Sequence, residues 1–86
     1  MKIHFSKQFF RTYRKLPSNL KRDFECAVVK FEQDVFDNSL RAHKLKSFIG
    51  LWSFRINFSH RVVFRFVKKN EIELITIGDH SIYKNL

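Results

Sequence analysis

The spacing of apolar residues changes near the middle of this chain. Up to about residue 36 they recur every three or four positions, which is the spacing of amphipathic helices. From Leu51 onward they alternate with polar residues, which is typical of strands with one buried face. The pattern therefore predicts a helical first half and a sheet in the second half.

The first half begins with a short alternating stretch, Met1 to Phe5, which fits an edge strand. Ser6 follows as a predicted N-cap for a first helix over residues 6–16, which ends at Pro17. A second helix is predicted from there to about residue 36, with one apolar stripe formed by Leu20, Phe24, Ala27, Val28, Phe31 and Val35. These two helices are expected to pack as a hairpin.

The only cysteine, Cys26, lies inside the second predicted helix. A single cysteine excludes an internal disulfide and a metal site built from thiolates. Because Phe24, Ala27 and Val28 are its near neighbours, we expect its thiol to be buried and unreactive.

Three strands are predicted in the second half, over residues 51–58, 61–67 and 71–77. Residues 38–50 have weak periodicity and predict a loop, and the tail over residues 79–86 is too short to be ordered unless it docks on the sheet. Strand parity directs one set of side chains toward the helices, namely Trp52, Phe54, Ile56, Phe58, Val62, Phe64 and Phe66. The same parity directs Arg55, Arg61 and Arg65 to the opposite face, which we call the open face.

The predicted fold is α+β. An N-terminal strand and a helical hairpin precede a three-stranded antiparallel meander, and all the strands form one sheet packed on the helices. The 86 residues form a single domain, 1–86, with the third strand of the meander buried inside the sheet.

Charge narrows the choice of partner. The formal net charge is +9, and no acidic residue occurs between Asp37 and Glu71. The basic residues of this stretch alternate with apolar residues that need burial, so we expect the basic residues to lie on the surface of a folded domain. Nucleic acid or an acidic protein is the expected partner. No apolar run is long enough to span a membrane, and the first residues lack the apolar core of a signal peptide, so we expect a cytoplasmic protein.

Several side chains of the second half are suited to RNA chemistry. Three arginines on one face, without acidic residues between them, form a site for phosphates. His43, His60 and His80 come from the predicted loop, turn and tail and could meet at one end of the sheet. Their spacing does not match a zinc site, and no cofactor is expected. Acid–base cleavage of RNA by its own 2′-hydroxyl needs only these residue types.

The chain also resembles a known family in four segments, which are Leu45-Lys46, Gly50 to Ile56, His60 to Phe66, and Ile77 to Tyr83. Their running pattern is similar to that of the RelE/ParE superfamily of bacterial toxins. The resemblance implies a toxin that is inhibited by a cognate antitoxin protein and that cleaves mRNA on the ribosome.

The resemblance also suggests roles for individual residues. Arg61 matches the arginine of YoeB-like members, and His43 stands near the place of a histidine in YafQ-like members. His80 matches the tail histidine, and Tyr83 lies three residues after it rather than next to it. The implied catalytic set is His80, His43, Arg61, Tyr83 and Asp79, and the implied RNA-binding set is Lys46, Arg55, Arg65 and His60.

Two other functions are compatible with the sequence. The ParE branch of the superfamily inhibits DNA gyrase and needs no acid–base residues. A basic domain that binds nucleic acid without cleaving it would carry the same charge pattern.

Overall fold

The computed structural model describes residues 1–86, apart from the side chain of Asn85. It contains two α-helices, α1 (Lys7–Arg14) and α2 (Ser18–Gln33), and two short 3₁₀ segments, Asn38–Leu40 and His80–Asn85. Its strands are β1 (Lys2–Phe5), β2 (His43–Lys44), β3 (Trp52–Arg55), β4 (Arg61–Lys68) and β5 (Glu71–Gly78).

The strands form one five-stranded sheet in the order β1-β5-β4-β3-β2. Strand β1 pairs in parallel with β5, and the remaining pairs are antiparallel. The α+β class, the edge position of β1, the β3–β4–β5 meander and the interior position of β5 are therefore confirmed. Strand β2 was not predicted, because two residues inside an expected loop are too few to show a period.

The helices follow their predicted stripes. Ser6 caps α1, and its Oγ accepts a hydrogen bond from the Phe9 amide at 3.0 Å. The prediction that Cys26 is buried is wrong, since it is exposed on α2. Each residue turns a helix by about 100°, so Cys26 faces well away from the stripe of Phe24, Ala27 and Phe31. Among the described residues, no helix is long and apolar enough to cross a membrane.

Aromatic rings join α2 to the sheet. The Phe31 ring is fully buried, and its centroid lies 4.4 Å from that of Phe54 and 5.0 Å from that of Phe64. Trp52 pairs with Phe64 and Phe54 with Val62, so these side chains share the helix-covered face as parity predicted. Phe66 lies beyond the full cover of the helices and is 40% exposed, which corrects its predicted burial.

The predicted strand over residues 51–58 ends early, at Arg55. Phe58 is 89% exposed in the following loop, so its assignment to the covered face is wrong. The Asn57 Oδ1 accepts hydrogen bonds from the amides of Ser59 and His60, both at 2.9 Å. Local side-chain bonds of this kind compete with the strand ladder and turn the backbone before Phe58 can continue the alternation.

Candidate functional site

Strand register assembles two rows of residues across the open face. Side chains at directly paired positions in neighbouring strands project to the same face. One row runs from His43 through Ser53 and Val63 to Thr76, and its last three residues are fully buried, so the face that was predicted to be open is covered along this row. The neighbouring row contains Arg55, Arg61 and Gly78. The sheet therefore places the His43 row beside the arginine row.

The tail, which comprises Asp79 and the 3₁₀ segment His80–Asn85, docks on this face. A Cβ atom on Gly78 would point to the same side as Arg61 and would lie 2.6 Å from Ile82 Cγ2. Ile82 is buried there, so the absence of a side chain at Gly78 allows this close approach. The predicted docking of the tail on the sheet is thus confirmed.

The tail brings the Asp79 carboxylate near both His60 and His80. The Asp79 Oδ1 accepts a hydrogen bond from the Ser81 amide at 2.9 Å and caps the 3₁₀ segment. Hydrogen bonds from Ser81, and to a smaller extent the nearby charges of His60 and His80, lower the pKa of Asp79 below its usual range. Asp79 is therefore anionic at neutral pH and serves to order the tail.

Tyr83 brings the tail next to His43, at the β2 end of the His43 row. Its ring centroid lies 6.3 Å from that of His80, and it lines a cavity of about 270 Å³ together with His43 and Lys46. Two segments that are distant in sequence therefore meet at this cavity: β2 with the loop after it, and the tail.

The ring of His43 has a defined orientation. Its Nδ1 lies 2.9 Å from the backbone carbonyl oxygen of Arg41. A carbonyl can only accept a hydrogen bond, so this nitrogen carries the proton and donates it. In the neutral imidazole the Nε2 atom then has a free lone pair, which is what a general base requires.

The three predicted arginines have different environments. Arg61 is partly buried and lies directly opposite Arg55, and among the described residues no acidic side chain forms an ion pair with it. The Arg65 Nε donates to Glu73 Oε1 at 2.8 Å, and its position is roughly 13 Å from Arg61 along the strand. Glu73 therefore pairs with one of the three arginines, and a joint contact of all three with one phosphate stays a prediction.

Two residues near Asp79 were not predicted as part of the candidate site. Gln8 and Thr12 of α1 line a cavity of about 270 Å³ with His60, Gly78 and Asp79. The Thr12 Oγ1 also accepts a hydrogen bond from the Ile77 amide at 3.3 Å. Their spacing of four residues puts both on one side of α1, but that signal is too common among surface helices to identify a site.

We expect docking of the tail to depend on pH. The folded-state pKa of Asp79 is lowered, so its contribution is complete above the unfolded value of about 3.9 and disappears as pH falls through the folded value. The protection factor of the Ile82 amide, which is its observed exchange rate corrected for the intrinsic rate at each pH, should fall over that acidic range, and Asp79→Asn should reduce this pH dependence. An unchanged protection factor at Ile82 between pH 5 and pH 2, in a protein whose core stays folded, would contradict this assignment.

Comparisons with known proteins identify solved structures with a similar fold. No protein-family model matches the chain, and no curated protein matches it. The fold is similar to that of a YoeB/ParE toxin from Agrobacterium tumefaciens, with a TM-score of 0.76 at 21% identity over 93% of this chain and 99% of that one.

Two further solved structures show the same fold. One is the YoeB–YefM complex from Staphylococcus aureus, with a TM-score of 0.71 and 27% identity over 93% of this chain and 97% of that one. The other is the Escherichia coli DinJ–YafQ toxin–antitoxin complex, with a TM-score of 0.76 and 10% identity over 94% and 93%. The chain therefore has the fold of the RelE/ParE superfamily of toxins, which is the family that its sequence resembles.

Proposed function

We propose that the protein is the toxin of a toxin–antitoxin pair and that it acts in the cytoplasm as a ribosome-dependent endoribonuclease on mRNA. The observation that carries this proposal is the gathering of His43, Arg61, His80 and Tyr83 around one face by the docked tail. The fold shared with YoeB and YafQ toxins supports the class.

In the proposed reaction the 2′-hydroxyl of the RNA attacks the adjacent phosphorus, and the 5′-oxygen of the next nucleotide leaves. His43 is proposed as the base, since its Nε2 is free to take the proton of the 2′-hydroxyl. His80 is proposed as the acid that protonates the leaving oxygen. The products are a 2′,3′-cyclic phosphate and a free 5′-hydroxyl, and no metal takes part.

Cations stabilise the charge that develops on the phosphate. Arg61 is proposed to contact the scissile group, because it lies in the row next to His43 and has no acidic partner among the described residues. Lys46 and Tyr83 line the cavity beside His43 and are placed to contact the same phosphate or its neighbour. Asp79 is proposed to hold the tail that carries His80.

Other basic residues are proposed to bind the RNA away from the scissile group. His60 lines a cavity together with Asp79, and Arg55 lies opposite Arg61. Arg65, which Glu73 holds in an ion pair, is proposed to contact RNA further along β4.

The partner is proposed to be a cognate antitoxin with an acidic, partly disordered segment. A net charge of +9 leaves the open face self-repelling, and an acidic chain lying on it would both neutralise the charge and cover the site. Several solved structures with this fold are complexes of a toxin with its antitoxin.

We expect expression of the protein alone to arrest growth and co-expression with its antitoxin to restore growth. Primer extension on a translated message should reveal cuts for the parent, and His80→Gln should remove the cuts while keeping RNA binding, which the arginines carry. A supercoiling assay run in parallel tests the gyrase alternative. Intact message together with inhibited supercoiling would overturn the proposed function in favour of that alternative.

A further inference from the structure

The loop between β3 and β4 exposes an aromatic ring at the end of the sheet where Arg61 and His60 lie. Phe58 is 89% exposed, although exposing an aromatic ring to water is unfavourable. It is two residues from His60 and three from Arg61, so it stands at the rim of the site described above.

This loop is held rigidly rather than left free. The Asn57 Oδ1 accepts hydrogen bonds from the Ser59 and His60 amides, and its Nδ2 donates to the Asp23 carboxylate of α2 at 3.0 Å. The Ile56 amide also donates to the His60 carbonyl oxygen at 3.0 Å. The ring is thus presented outward by a loop that is bonded to both the sheet and the helix layer.

A cation accompanies the ring. The guanidinium carbon of Arg55 lies 6.0 Å from the centre of the Phe58 ring, at the limit of a cation–π contact. An exposed ring beside an arginine is the combination that single-stranded nucleic acid uses, because each nucleotide offers a flat base and an anionic phosphate.

We propose that Phe58 is a stacking platform for a nucleobase of single-stranded RNA next to the scissile phosphate, and that Arg55 binds the phosphate of the same nucleotide. This inference rests on the proposed function for its substrate. RNA fits this pair of residues better than a protein segment does, because one nucleotide offers both a flat base for the ring and a phosphate for Arg55. The platform would position the RNA strand so that its phosphate reaches Arg61.

The test is the affinity for a fluorescently labelled single-stranded oligoribonucleotide, measured by anisotropy in a His80→Gln background that prevents cutting. Phe58→Ala should weaken binding about tenfold, and Phe58→Trp should retain or improve it, as expected for stacking. Ile49→Ala is the matched control, because Ile49 is fully exposed in another loop, and it should leave the affinity unchanged. Thermal melts of the variants should coincide with that of the parent.

A second oligonucleotide with abasic sites separates stacking from charge. On this probe Phe58→Ala should have no effect, whereas Arg61→Ala should still weaken binding. Equal affinity of Phe58→Ala and the parent for the ordinary oligonucleotide would overturn the proposal. Loss of antitoxin binding alone would also overturn it and assign the ring to the protein partner. If RNA binding depends on Phe58 but the parent protein does not cut message, the stacking platform would be supported and the proposed function would fail.

Discussion

Arg61→Ala is expected to abolish cleavage of mRNA while leaving the fold intact. The arginine has no acidic partner among the described residues and lies in the row next to His43, so its loss removes charge from the proposed transition state. Removal of one such contact lowers turnover by about 100- to 1,000-fold. The measurement is the rate of message cutting on translating ribosomes, with circular dichroism melts on the same samples.

Arg65→Ala is the matched control for that experiment. It removes the same charge from the same strand, but at a residue that Glu73 already pairs at 2.8 Å. We expect its cleavage rate to fall far less than that of Arg61→Ala, because Arg65 is proposed to contact RNA away from the scissile group and so does not stabilise the transition state. If Arg61→Ala cut message as fast as Arg65→Ala, Arg61 would have no place in the site.

Phe64→Ala is expected to remove a large part of the stability of the domain. The ring is fully buried, and it contacts Phe31 from α2 and Phe54 from β3 at centroid distances of 5.0 and 5.7 Å. Emptying such a site costs about 3 to 5 kcal/mol, against a total of roughly 5 to 15 kcal/mol for a typical domain. A urea titration followed by circular dichroism should therefore show a large fall in the midpoint.

Phe66→Ala provides the comparison on the same strand. Phe66 is two residues further along and 40% exposed, so its removal opens no closed cavity. We expect it to cost less than half as much as Phe64→Ala. Similar midpoints for the two variants would mean that the aromatic layer between α2 and the sheet is not what stabilises the domain.

Local sequence patterns predicted those parts of the fold that depend on residues close together in the chain. Ser6 had a side chain able to cap a helix, and the stripe on α2 had one face to bury, so both were predicted. Strand β2 was not predicted, because it is too short to show a period. The loop around Asn57 was not predicted either, because it depends on hydrogen bonds to residues including Asp23. That loop reversed the prediction for Phe58.

The candidate site was likewise predicted in part from the sequence and completed only by the structure. Residue types in the sequence indicated the histidines and arginines of the second half, since few side chains move protons or bind phosphate near neutral pH, and the family resemblance implied roles for His43, Arg61, His80 and Tyr83. Register made Arg61 a neighbour of Arg55, and the ion pair with Glu73 set Arg65 apart. The difference between Arg61 and Arg65 depends on distances between side chains in the folded protein, which the sequence does not contain.

What the sequence by itself determined is the class of fold, the face that carries positive charge and the list of candidate groups, because each follows from periodicity or side-chain chemistry. The tertiary structure alone decided which of those groups meet. Docking of the tail over Gly78 brings Asp79 near His60 and brings Tyr83 to the cavity that His43 lines, and it depends on contacts between segments far apart in the chain. Such contacts form only when the whole sheet has folded, so no local pattern encodes them.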